Sequence, residues 1–353
     1  MFSNNEIFHE TGPKHLTAMD WKNTDYQRSV VASLVQGVYS LERDRQTNNP
    51  GRYREGNAEP WWTSFNFHLD EPLIDDKRIF GAIYKYNGKY ASADSDVPEY
   101  VIAFRGTLLM PETMINDLAL NVKCFLNKLE ESPRFKLALN YVERFVEANG
   151  ARNVWLAGHS SGSAIALLVG KKMILKMEWF PKAYLFNPPF LSFPIGLLED
   201  EKVKKRIHFV QRVVKAGLTY FAAEPSKLRM EDHFAMLSSW TPHLFVNRAD
   251  IVCAEYIAYF ERKVGAGETM TLAENNSTRN LVSHVVFRKD LKDATHLLPS
   301  AHLIVNESHP NKKAADNSSY SLEAHTISQW WRPDVRCRST LYQDRQRVLS
   351  IVD

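Results

Sequence analysis

The pentapeptide Gly158-His159-Ser160-Ser161-Gly162 constrains this chain more than any other feature, because of what stands on either side of it. Val154-Trp155-Leu156-Ala157 before it reads as a buried strand, and Ala164-Ile165-Ala166-Leu167-Leu168-Val169 after it reads as a buried helix. A Gly-x-Ser-x-Gly sequence in that setting predicts a sharp strand-to-helix turn that exposes the serine at the strand's C-terminal end. Glycines at both ends of the turn leave no Cβ to collide with backbone packed close by. Ser160 is therefore the candidate nucleophile. The helix starting at Ser161 aims its first unpaired N–H groups at the same spot, where they can stabilise a developing oxyanion.

The rest of the chain repeats the alternation of strand and helix. Ile79–Tyr84 and Tyr100–Phe104 read as strands with Asn87-Gly88 as a hairpin turn, and Ser132-Pro133 opens an amphipathic helix that Gly150 can end. Ala183–Phe186, Leu244–Val246 and His302–Val305 add further strands. This order predicts an α/β-hydrolase type of α/β fold, with a mostly parallel central sheet, flanking helices and a helical insertion. The expected organisation is one domain over residues 1–353, with an N-terminal helical extension over about 1–60. In that extension Val30, Val31, Leu34, Val35, Val38, Tyr39 and Leu41 form a helical stripe that serves as scaffold. The insertion, about 190–241, either caps the site or forms an outer helix pair.

Composition removes several function classes. With 44 basic and 41 acidic residues dispersed along the chain, no Lys/Arg block marks a nucleic-acid groove. No apolar run reaches the ~20 residues of a membrane span, and the first residues lack a secretory core, so a cytoplasmic location is expected. Cys124, Cys253 and Cys337 are odd in number and far apart, which favours reduced thiols that behave as small buried hydrophobes. Neither a metal-ligand cluster nor a Gly-rich phosphate loop is present, so neither a metal nor an organic cofactor is expected.

Upstream of the elbow, Phe104-Arg105-Gly106-Thr107 closes a strand. Phe-Arg-Gly-Thr followed by Gly-His-Ser-x-Gly resembles the class 3, fungal-type triacylglycerol lipase family, and in particular its plant intracellular lipase-like branch. The resemblance runs over roughly residues 78–330, and Gly12-Pro13-Lys14-His15-Leu16 and Trp330-Trp331-Arg332-Pro333 fit the plant branch. It implies that Thr107 and the backbone N–H of Ser161 form the oxyanion hole; without that role, Thr107 is a strand-capping hydroxyl. It also implies a lid over Leu108–Ile115, which could equally be a buried turn, and a supporting carboxylate at Asp117. Ser161 stands where the family commonly has Leu, which bears on the shape of the acyl pocket.

Triads on this fold run Ser, then acid, then His. Asp250, after the strand Leu244–Val246 in Asn247-Arg248-Ala249-Asp250-Ile251-Val252, resembles the family's acid, whereas Asp200 and Asp232 lie in charged helical surroundings. Among His284, His296, His302, His309 and His325, with His243 before the strand as a sixth candidate out of chain order, the family places its base near the C-terminus, which selects His325, with His296 before Leu297-Leu298-Pro299 as the rival. His159 should point away from Ser160 and pack. The expected reaction is hydrolysis of an acyl-lipid or small carboxylic ester through an acyl-enzyme, accompanied by contact with a peripheral membrane or lipid surface. Two alternatives stay open: acyl transfer to an alcohol or amine, and a catalytically silent interaction protein.

Overall fold

The computed structural model describes residues 7–47, 60–88, 96–108, 129–150, 153–190, 236–268, 298–308 and 323–343. Among these, eight strands form one sheet in sequence order: β1 Phe67–Asp75, β2 Arg78–Tyr86, β3 Tyr100–Phe104, β4 Val154–His159, β5 Lys182–Phe186, β6 His243–Asn247, β7 Ala301–Asn306 and β8 Cys337–Tyr342. Neighbours from β3 to β7 pair in parallel, while β1, β2 and β8 join antiparallel. This is the mostly parallel α/β-hydrolase arrangement that the alternating pattern predicts.

One expectation about the antiparallel flank needs correction. Lys85 pairs with Tyr100, so residues 87–99 lie between β2 and β3 and Asn87-Gly88 is not a two-residue hairpin turn. The tight turn is Asp76-Lys77: Asp75 faces Arg78, and the two loop residues have φ of 44° and 65°. Positive φ at both positions matches the right-handed twist of the flanking strands. Strand β1 has register shifts at Leu69/Glu71 and Leu73/Ile74, irregularities that blunt an exposed sheet edge.

Parallel neighbours laid down in sequence order have a consequence for the layers. Right-handed crossovers between successive strands put the connecting helices on one face. Helices at Pro133–Asn149 (here α2) and Ser161–Met177 (α3) do lie on one face and pack on each other. Phe135, Val142 and Val146 of α2 share a core with Ile165, Leu168 and Val169 of α3 and with Ile102, Leu156, Leu185 and Leu303 of the sheet. Ser132 caps α2 by accepting the Phe135 N–H, an interaction worth about 1 kcal/mol, and Pro133 occupies the first turn.

On the opposite face lies the N-terminal helix α1, Thr24–Gln46. Every residue of α1 from Tyr26 to Glu42 is buried, and its Val31, Leu34, Val35 and Val38 pack with Val101, Ala103, Trp155, Phe186, Phe245 and Trp330. Val101 and Ile102 therefore enter different cores, as the two-residue period of a strand requires. The site lies beyond the C-terminal ends of β3, β4 and β6, where open parallel sheets bind ligands.

Several expectations fall outside the described residues: the insertion from 191 to 235, the lid stretch from 109 to 115, Asp117, Cys124, Asp200, Asp232, His284, His296 and His309. Among the described residues, no helix is long and apolar enough to cross a membrane.

Candidate active site

The turn from β4 into α3 has the form its sequence predicts. Ser160 adopts φ 54° and ψ −126°, a conformation that costs a non-glycine residue about 1–3 kcal/mol, and its N–H is held by the Phe186 carbonyl at 3.0 Å. The flanking glycines are required by close backbone approach. A Cβ on Gly158 would lie 2.4 Å from the Gly162 carbonyl oxygen, and one on Gly162 would lie 2.4 Å from that of Phe104. Ser163 donates its hydroxyl to the carbonyls of Gly158 and Phe186 at 2.7 and 2.8 Å, tying the start of α3 to β4 and β5.

The three residues expected to work together are brought together. Ser160 Oγ lies 3.0 Å from His325 Nε2, and His325 Nδ1 lies 2.9 Å from Asp250 Oδ2. All three are buried. A carboxylate can only accept, so Nδ1 carries the ring proton and Nε2 faces Ser160 as an acceptor.

Asp250 is held by more than the histidine. Its Oδ2 also accepts from Asn187 Nδ2 at 2.7 Å and from the Cys253 thiol at 3.0 Å, and its Oδ1 accepts the Val252 N–H at 2.9 Å. Burial alone would push this carboxyl up, but the neighbouring His325 and the donors outweigh burial and hold it below its usual value. Cys253 is buried as expected, yet it is a donor and not an inert hydrophobe. Burial and the adjacent carboxylate push its thiol well above the usual range, so the proton stays on sulfur.

Asn187 is a residue that the sequence reading missed. It sits at the end of β5 with φ 48°, fully buried, and its amide is held by several hydrogen bonds. Besides Asp250, it donates to the Ala324 carbonyl at 3.0 Å and accepts the Trp330 Nε1–H at 2.7 Å, linking the acid to the loop that carries His325. The available signal was an Asn at a strand's C-terminal end, directly before Pro188-Pro189.

Thr107 and Ser161 also come together, with their hydroxyl oxygens 3.4 Å apart. Thr107 is exposed and Ser161 buried, and neither backbone N–H has an acceptor among the described residues. The segment before Thr107 is clamped by α1. Arg105 donates Nε to the Ile79 carbonyl and Nη1 to the Gly106 carbonyl, both at 2.7 Å. Glu42 accepts the Ile79 N–H at 2.8 Å and faces Arg105 Nη2 at 3.9 Å. The N-terminal helix is thus more than scaffold.

His159 points away from Ser160, as expected, but it is hydrogen-bonded at both nitrogens, to Tyr39 and to the His325 carbonyl. Burial, then the neighbouring His325, pushes its pKa down to about 3, so it is neutral at ordinary pH. His302, half-buried, bonds Ser339 on the antiparallel edge, far along the sheet from this group. Among the described residues, no cluster of three or more His, Cys, Asp or Glu can hold a metal ion.

Comparison with known proteins gives the following. No family model matches the chain. An Arabidopsis thaliana protein named "GDSL esterase/lipase" is 36% identical, the match covering 97% of this chain and 99% of that protein. A crystal structure of a lipase from Rhizopus microsporus var. chinensis aligns over 67% of this chain and 69% of its own, at 13% identity and a TM-score of 0.32.

Proposed function

The chain belongs to the esterase/lipase family represented by the Arabidopsis protein, and from that premise we propose that it hydrolyses carboxylic esters with Ser160 as nucleophile, His325 as base and Asp250 as its orienting acid. The observation that carries the reading is the unbroken series Ser160 Oγ, His325 Nε2 and Nδ1, Asp250 Oδ2, at 3.0 and 2.9 Å. His325 takes the Ser160 proton as Oγ attacks the ester carbonyl, and Asp250 stabilises the imidazolium that forms. Thr107 and the Ser161 N–H hold the oxyanion. The alcohol leaves with the proton from His325; water, deprotonated by the same nitrogen, then releases the acid and frees Ser160.

The nucleophile sequence is Gly-His-Ser-Ser-Gly, and the tetrapeptide Gly-Asp-Ser-Leu does not occur in this chain. Together with Phe104-Arg105-Gly106-Thr107 upstream, this favours a class 3 type of lipase, acting on an acyl lipid or a small ester.

The test is hydrolysis of p-nitrophenyl esters from acetate to palmitate by wild type, Ser160→Ala and His325→Ala. Turnover lost in both variants supports the reading, and the chain-length optimum separates esterase from lipase. A wild type inactive on the whole series, or a Ser160→Ala variant as active as wild type, overturns it.

A further inference from the structure

Tyr39, from α1, lies between two parts of the site that the chain keeps far apart. Its hydroxyl accepts the Gly106 N–H at 2.7 Å, next to Thr107, and meets His159 Nδ1 at 2.8 Å. His159 Nε2 in turn lies 2.8 Å from the carbonyl oxygen of His325. The direction of every proton in this chain is fixed. A carbonyl only accepts, so His159 Nε2 is the donor; in the neutral ring Nδ1 is then the acceptor; Tyr39 must donate to it, which leaves the phenol oxygen to accept from Gly106. The three links are buried.

We propose that Tyr39 and His159 are positioning residues, forming a one-way hydrogen-bond chain from Gly106 through Tyr39 and His159 to the His325 carbonyl that sets the oxyanion segment against the base. The proposal rests on the assignment of Ser160 and His325 given above and adds to it. Gly106 precedes one oxyanion donor, and the bonded carbonyl belongs to the residue acting as base. The path between them crosses behind the elbow through His159, the neighbour of the nucleophile. A shift in either end moves a donor or the base relative to Ser160, and a misplacement of about 1 Å can cost about 100-fold in rate. The His159 and His325 rings lie 5.1 Å apart, so the imidazolium formed in turnover further disfavours a second proton on His159, which keeps it a spacer and not a competing base.

The experiment uses the full chain with Tyr39→Phe, His159→Gln and His159→Leu, each checked for folding by its thermal midpoint and for active-site concentration by fluorophosphonate titration. Glutamine can donate its Nε2–H to His325 and accept from Tyr39 at Oε1; leucine can do neither. Tyr39→Phe and His159→Leu are expected to lower kcat by about 10- to 100-fold with KM nearly unchanged, while His159→Gln stays within about fivefold of wild type. A role in packing alone would not favour Gln over Leu and would not separate kcat from KM. The proposal is overturned if folded Tyr39→Phe and His159→Leu turn over within about twofold of wild type, or if His159→Gln is as slow as His159→Leu. Should Tyr39→Phe not fold, the two His159 variants decide. A wild type without esterase activity would overturn the parent assignment as well, which sets that failure apart from this one.

Discussion

Replacing Asp250 by Asn removes one charge and keeps the size of the side chain, and the surrounding bonds dictate how the new amide must sit. Among the described residues, Oδ2 accepts from His325, Asn187 and Cys253, whereas Oδ1 accepts from Val252 alone. Asn187 cannot reverse its own amide, because Trp330 donates to its oxygen and its nitrogen supplies the Ala324 carbonyl. An amide oxygen left at the Oδ2 position serves three donors and faces its NH2 to Val252 alone; turned the other way, the NH2 confronts Asn187. The first orientation wins, so His325 keeps its Nδ1–H tautomer and the loss is electrostatic. With the pair bonded at 2.9 Å, charge centres about 4 Å apart interact by about 4 kcal/mol at an effective dielectric of about 20, which corresponds to roughly a thousandfold in kcat. The assay is kcat on a p-nitrophenyl ester, with folding verified by denaturation. A folded Asp250→Asn variant that loses less than about tenfold would refute the electrostatic role.

Three further outcomes follow from the geometry. Thr107→Val keeps the side chain's shape and removes its hydroxyl, so kcat should fall by about 100-fold, near 3 kcal/mol, with the thermal midpoint unchanged; an unchanged kcat would leave only the backbone as donor. Gly158→Ala would set a Cβ 2.4 Å from backbone oxygen and should destabilise by about 3 kcal/mol or more, read from urea unfolding. His159 and His243 are both held near pKa 3 by burial, against 6.5 when unfolded, so the unfolded chain binds protons that the native state does not. Stability should therefore be fully present above pH 6.5 and fall between pH 6.5 and about 3, on the order of 1 kcal/mol per pH unit for each histidine. Urea midpoints at pH 7, 6 and 5 that stay level would contradict this.

What the sequence revealed and what it concealed divide along the range of the interactions. The elbow was legible because strand, turn and helix are contiguous, and Asp250 and His325 because chain order on this fold limits the choice. Strand β1 was not, since Phe67–Asp75 contains Glu71-Pro72 and its turn, Asp76-Lys77, lacks the glycine that usually marks a tight hairpin. Tyr39, Glu42 and Asn187 have partners 37 to 143 positions away, and no local pattern specifies such contacts. Glu42 did leave a trace: it stands on the apolar stripe Val35, Val38, Tyr39, a charged group placed where a helix meets the core. A buried carboxylate there requires a partner, which is Arg105 together with Arg45 and the Ile79 N–H.

The central claim is that Ser160, and not its neighbour Ser161, attacks the ester. The most direct measurement is to react the protein with a fluorophosphonate, in which the attacking oxygen displaces fluoride, and to locate the phosphonyl group by mass spectrometry. One adduct per chain is expected, on Ser160, abolished in His325→Ala and retained in Ser161→Ala. An adduct on Ser161, or labelling that His325→Ala leaves unchanged, would contradict it.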